Sequence, residues 1–89
     1  MTSSANTRIS VNIRLNAQMT DILGTNRLTV NVDESSTVSD VKKEIKKNHP
    51  SIEIHLDGTL PVISGTMVNP DQVVEKGQEI AFLSPAAGG

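Results

Sequence analysis

The residues best suited to chemistry in this 89-residue chain stand at its end, in the run Ser84-Pro85-Ala86-Ala87-Gly88-Gly89. Glycine lacks a Cβ, so two in succession let the backbone pass through a narrow channel toward a partner's reactive centre, and they leave the last carboxylate sterically bare. A carboxylate is a poor electrophile. Acyl chemistry at Gly89 therefore needs activation by a separate enzyme, most simply as a mixed anhydride with adenylate at the expense of ATP, and this sequence has no phosphate-binding loop of its own. The other candidates are weaker. His49 and His55 have no companion at metal-ligand spacing and are read as structural, His49 as a cation at a helix end and His55 as a solvent-facing strand residue. Asp21, Asp33, Asp40, Asp57 and Asp71 are spaced without convergence, so no paired acid and base is expected and the chain is read as no enzyme. With no cysteine, it cannot form a thioester on itself, hold a thiolate-bound metal or use a disulfide.

Composition narrows the setting further. A chain this short is expected to form one small core, with no room for separate cofactor and substrate domains. The absence of disulfides removes any need for an oxidising compartment, and a cytoplasmic location fits. The start, Met1-Thr2-Ser3-Ser4-Ala5-Asn6-Thr7, has neither a basic beginning nor an apolar run, and it reads as a loose leader rather than a secretory signal. No apolar stretch approaches the roughly 20 residues of a membrane helix. A net charge of −2 and the single aromatic residue, Phe82, argue against polyanion binding and base stacking. Neither nucleic acid nor membrane is an expected partner, and the free protein is expected to be a monomer.

The elements that would position the tail follow from periodicity. Ile9-Ser10-Val11-Asn12-Ile13-Arg14-Leu15 alternates apolar and polar residues, as a half-buried strand does, and Arg27-Leu28-Thr29-Val30-Asn31-Val32 repeats the pattern, so the two are expected to pair. Between them Ala17, Met19, Ile22 and Leu23 precede Gly24, which predicts a short helical turn ending at the glycine. Val38, Val41 and Ile45 then recur at helical spacing, with Lys42, Lys43, Lys46 and Lys47 on the other faces. Thr37 is the expected N-cap, Asp40 completes a capping-box-like arrangement, Glu44 is positioned to pair with Lys47, and the helix should end at His49 because Pro50 follows.

Beyond the helix, Ile52, Ile54 and Leu56 alternate and are read as a strand, with Asp57-Gly58 as a turn signal. The run from Leu60 to Ile63 is interrupted by Pro61, and Ser64-Gly65 offers a second two-residue turn into Thr66-Met67-Val68. Of these competing hairpins the later is preferred, with the register left open. Glu79-Ile80-Ala81-Phe82-Leu83 is the final strand, with Ile80 and Phe82 inward and Leu83 directed outward to solvent or a partner. The order predicts an α+β chain with a mixed sheet of four to five strands and one main helix on one face. A helical crossover would let the first and last strands lie parallel at its centre. The expected division is a flexible leader over 1–8, a folded domain over 9–83 and a flexible tail over 84–89.

Several motifs now combine: Ile13-Arg14-Leu15 to Asp21-Ile22-Leu23-Gly24, Ser36-Thr37-Val38-Ser39-Asp40-Val41, His49-Pro50, Val62-Ile63-Ser64-Gly65, the run Val74-Glu75-Lys76-Gly77-Gln78-Glu79-Ile80-Ala81-Phe82-Leu83-Ser84-Pro85, and the final Gly88-Gly89. Over 9–89 the sequence resembles the MoaD and ThiS family of ubiquitin-like sulfur carriers, which includes the ubiquitin-related modifier and the small archaeal modifier proteins. The resemblance implies a β-grasp fold and adenylation of Gly89 by an E1-like enzyme that uses ATP, the chain itself binding no cofactor. It also implies conversion to a thiocarboxylate with a sulfurtransferase as partner. In the MoaD branch the sulfur goes to a molybdopterin precursor while the tail sits in the molybdopterin synthase large subunit. Other branches supply sulfur to thiazole or to a tRNA-thiolating enzyme, or join the tail to lysines of target proteins. Leu83, Ser84 and Ala86 depart from the commonest MoaD ending, which has a second aromatic and a Pro-Pro pair.

On this reading Gly89 is the activated residue, Gly88, Ala87 and Ala86 form the slender tail, and Leu83, Ser84 and Pro85 dock against partners. The lysines of the helix are first a solvated face; alternatively Lys42, Lys43, Lys46, Lys47 and Lys76 accept another copy's tail. Two competing functions are a small subunit of molybdopterin synthase only, and a non-covalent β-grasp interaction module that never activates its terminus.

Overall fold

The computed structural model describes residues 7–85. Strand β1 (Arg8–Arg14) buries Ile9, Val11 and Ile13 and turns Arg8, Ser10, Asn12 and Arg14 outward, so the alternation read from the sequence is the alternation of the fold. It pairs antiparallel with β2 (Arg27–Asp33) along its whole length, from Arg8 opposite Asp33 to Arg14 opposite Arg27. Helix α1 (Ala17–Leu23) connects them. The Asn16 side chain accepts a hydrogen bond from the Met19 amide at its start, and Gly24 closes it at φ 77°, a left-handed conformation that glycine adopts without steric cost.

Helix α2 (Val38–Asn48) presses Val38, Val41 and Ile45 onto the sheet, against β2 among other elements. Its capping box is complete. The Thr37 hydroxyl accepts from the Asp40 amide at 3.2 Å, and an Asp40 carboxylate oxygen accepts from the Thr37 amide at 3.0 Å. His49 ends the helix, as the following proline requires. The expected Glu44–Lys47 pair is not what forms: Glu44 accepts from Asn48 at 3.3 Å.

The next segment overturns the strand predicted over 52–56. Pro50–Ile52 is a 3₁₀ turn and Glu53–Asp57 is the short helix α3. Ile52 and Leu56 are fully buried, whereas Ile54 is 84% exposed. Residues four apart share a helical face, and a residue between them need not, so the apparent alternation was one turn of helix. His55 is accordingly a half-buried helical residue and not a strand residue. Asp57-Gly58 ends this helix rather than turning a hairpin.

Strands β3 (Leu60–Ile63) and β4 (Thr66–Met67) form the later of the two candidate hairpins, through Ser64 at φ 52° and Gly65 at φ 77°. Two successive positive φ values give the backbone twist that matches paired strands. Val62 faces Met67 and Ile63 faces Thr66. At the next position the Val68 amide still donates to the Pro61 carbonyl at 3.0 Å, but Pro61 has no N–H to return, and β4 stops.

Strand β5 (Glu79–Leu83) lies between β1 and β3, parallel to the first and antiparallel to the second, which completes the sheet order β2-β1-β5-β3-β4. Ile80 and Phe82 are fully buried in a single core with Val11, Ile13, Met19, Ile45, Ile52 and Leu56, among others. Burying a side chain of this size contributes roughly 1.5–3 kcal/mol, so β5 is held from both edges and from beneath. Before it, the loop carrying Val74 is fixed to the start of α2: the Val38 amide donates to the Gln72 carbonyl at 2.8 Å, and the Val74 amide to Ser36 at 2.9 Å. The sheet is mixed and five-stranded, with helices on one face, and the fold is a β-grasp.

Candidate functional site: the exit of the last strand

The central position of β5 decides where the tail begins. Leu60 stands opposite Leu83, and both are exposed, at 37% and 41%. Alternation along β5 puts Leu83 on the face opposite Phe82, as the sequence required. Ser84 and Pro85 follow on the surface. Ala86, Ala87, Gly88 and Gly89, the expected reactive tail, lie outside the described residues, as do positions 1–6 of the expected leader.

One contact at this exit was not anticipated. The Asn16 side-chain amide donates to the Ser84 hydroxyl at 2.8 Å while its carbonyl oxygen accepts from the Met19 amide at 2.9 Å. One side chain thus caps α1 and holds the first residue after β5, so the departing chain starts from a defined place beside the β1–α1 junction. An asparagine before an apolar helical run signals a cap. Its second partner, 68 residues away, carries no sequence signal.

The lysines divide into two groups. Lys42 and Lys46 both reach the Asp57 carboxylate, Lys42 at 3.8 Å, and each side chain is 28% exposed. Lys43, Lys47 and Lys76 are exposed. The helix is therefore not a uniformly solvated face. Hydrogen bonding from Lys46, then the charges of both lysines, holds the Asp57 carboxyl below the usual carboxylate range, against the opposing effect of desolvation. Asp40 is lowered too, chiefly by its bond from the Thr37 backbone, then by the Thr37 hydroxyl, with a smaller contribution from Lys43. The aspartates named above do not converge: Asp33 pairs with Arg8 at 3.1 Å, Asp40 caps α2, and Asp57 binds the lysines. Among the described residues no group of three His, Asp or Glu side chains is placed to hold a metal ion, and no helix is long and apolar enough to cross a membrane.

The outer face of the sheet shows a second feature that reading by element missed. Its β1–β2 portion carries only polar and charged side chains, whereas in its β5–β3–β4 portion Ala81, Val62, Met67, Leu60 and Leu83 form an apolar strip beside the exposed Glu79. Only the register puts these residues side by side.

Comparison with known proteins agrees with this geometry. The small archaeal modifier protein 1 of H. volcanii superimposes with a TM-score of 0.80 at 21% identity, covering 88% of this chain and 99% of that one. A putative molybdopterin converting factor, subunit 1, from Pyrococcus furiosus gives 0.76 at 20% identity, over 88% and 99% of the two chains. The small archaeal modifier protein 1 of Methanosarcina acetivorans gives 0.76 at 19%, over 93% and 99%. At these identities the likeness shows the fold. A search of curated proteins finds no significant match. Residues 13–89, which include the tail, match the ThiS family. The chain belongs to the ThiS family.

Proposed function

We propose that this protein is a carrier and modifier whose working group is the carboxylate of Gly89. In this reading an E1-like enzyme binds the chain together with ATP. A Gly89 carboxylate oxygen attacks the α-phosphorus, pyrophosphate leaves, and the acyl adenylate is open to a nucleophile. A persulfide on a sulfurtransferase attacks the acyl carbon and AMP leaves, giving an acyl disulfide. A thiol from a partner then cleaves its S–S bond, is itself oxidised to a disulfide, and leaves a thiocarboxylate, which supplies a tRNA-thiolating enzyme or molybdopterin synthesis. A lysine amine of a target protein displaces AMP instead when the outcome is an isopeptide bond. The chain contributes no catalytic group and binds no cofactor; ATP is consumed by its partner, and the setting is the cytoplasm.

The observation that carries the proposal is the match to a family of sulfur carriers that runs through the last two glycines, on a fold whose central strand leads into them. Leu83, Ser84 and Pro85 are then the docking segment, and Ala86, Ala87 and Gly88 the passage by which Gly89 reaches the enzyme's centre, small enough for a narrow channel. If copies of the chain are joined, Lys43, Lys47 and Lys76 are the accessible acceptors, while Lys42 and Lys46 must first leave Asp57.

Incubation with the activating enzyme of the same organism and ATP should release pyrophosphate, and intact-mass analysis of protein from its native cell should show sulfur replacing oxygen or lysine-linked adducts. A chain extended beyond Gly89 by one residue, in the absence of a processing protease, should be inert. Full activity of that variant would refute the proposal. Stable co-purification with a molybdopterin synthase large subunit and no conjugates would narrow the function to that synthase. Indifference to deletion of Gly89 would point instead to a non-covalent module.

A further inference from the structure

Strand β5 loses its two neighbours before the tail begins. Its parallel ladder with β1 ends at Arg14 opposite Ala81, where β1 gives way to Leu15, Asn16 and α1, and its antiparallel ladder with β3 ends at Leu60 opposite Leu83. Among the described residues the bond from Asn16 is the only hydrogen bond that Ser84 or Pro85 makes. The donating amide is held to this direction. The Asn16 side-chain carbonyl is taken by the Met19 amide at 2.9 Å, and a flipped side chain would set donor against donor. Asn16 is itself fixed: its backbone carbonyl accepts from the Thr20 amide at 2.9 Å and the Thr20 hydroxyl at 2.8 Å, and Leu15 before it and Met19 after it are buried in the core. Pro85 fixes its own φ and confines Ser84 to extended backbone, so a hold on Ser84 sets the chain's direction across both residues. Gly89 stands five residues on, at most about 18 Å away at full extension.

We infer that Asn16 and Ser84 are positioning residues for the reaction at Gly89: their hydrogen bond sets the point and direction of the tail's departure before the activating enzyme binds. The inference rests on the carrier reading and adds to it a device that readies the free chain. An enzyme that must thread the tail binds only chains whose tail sets out toward its channel, so its apparent affinity scales with the fraction that do. Restricting the departure beforehand also lowers the entropy lost on binding. One neutral, exposed hydrogen bond shifts such a population by roughly two- to tenfold, which bounds the effect. Neither side chain is asked to touch the reacting atoms, so KM and not kcat should carry the change.

The test follows pyrophosphate release from ATP by the full chain with the purified activating enzyme of its organism. Ser84→Ala removes one partner of the bond. Asn16→Ser removes the other and keeps a cap on α1, since a serine hydroxyl accepts from the helix amide but lacks the amide group that reaches Ser84. Each should raise KM by roughly two- to tenfold with kcat kept. Ser84→Thr, which retains the hydroxyl, should stay near the wild type. The double variant should be no worse than either single one, because both lose the same bond. In the free protein the Ser84 amide should show a lower NMR order parameter in Asn16→Ser than in the wild type. KM effects that multiply in the double variant overturn the inference, because Ser84 then meets the enzyme on its own and Asn16 serves only α1. A KM left unchanged or lowered by both single variants overturns it too. Should Asn16→Ser melt well below the wild type, Ser84→Ala decides: a raised KM with shifted Asn16 side-chain amide signals sustains the inference, and a raised KM with those signals unmoved overturns it. A lowered order parameter at Ser84 in Asn16→Ser, when the wild type releases no pyrophosphate, overturns the carrier reading and leaves the hold on Ser84 standing.

Discussion

The two ends of the sheet are built to different standards. From Arg8 to Arg14, β1 is paired with β2 at every position, α2 packs on that end, and the outward side chains are polar. At the other end β3 and β4 share two paired positions, and the outward side chains are apolar. The first end is secured by burial and a full ladder of hydrogen bonds. The second has little ladder of its own and is held through β5. A small domain has few ways to stabilise itself, and here the end that contributes less to the ladder exposes the apolar surface.

The largest test of that division is Ile13→Ala, which opens a cavity beneath the well-paired end. It should cost about 2–5 kcal/mol in denaturant unfolding, a large part of what a domain of this size possesses. A smaller effect is expected from Thr37→Ala, which removes the cap of the helix packed on that end and should cost about 0.5–2 kcal/mol. It also removes the hydroxyl's share of the hydrogen bonding that lowers Asp40, leaving the larger bond from the backbone amide in place. A carboxyl lowered by folding adds stability that is complete above its unfolded pKa, about 3.9 for aspartate, and that disappears as pH falls through the lower folded value. The wild type should therefore lose stability in acid through Asp40 and Asp57, and Thr37→Ala should lose slightly less over the same range, as followed by thermal melts from neutral pH downward. The smallest effect belongs to Met67→Ser on the exposed end, which should stay within about 0.5 kcal/mol of the wild type. If Met67→Ser proved as damaging as Ile13→Ala, the two ends would not differ in the way described.

Much of this organisation was legible because period and burial agree. In β1, β2 and β5 alternation identified the inward residues, and at α2 a threonine, an aspartate three residues on and a proline after the helix marked both ends. Reading failed at 52–56, where three apolar residues at spacing two fit a strand and one helical turn equally. Two neighbours carried the better signal: Pro50, whose fixed φ suits the first turn of a helix, and Glu53, an acid near a helix start. The tail was legible as chemistry, since it needs no fold to be recognised. The surface around it was not. Asn16 meets Ser84, and Arg14 shares a row with Met67, only through a register in which the last strand enters between the first and third.

Pro61 has a further effect at the margin of the sheet. An edge strand ordinarily offers its open backbone to any extended chain, including another molecule of the same protein, and long flat edges invite aggregation. By ending β4 after Thr66 and Met67, the proline leaves too short a template for such growth on that side. The protein can thus keep apolar side chains exposed beside its tail while giving stray strands little backbone there on which to polymerise.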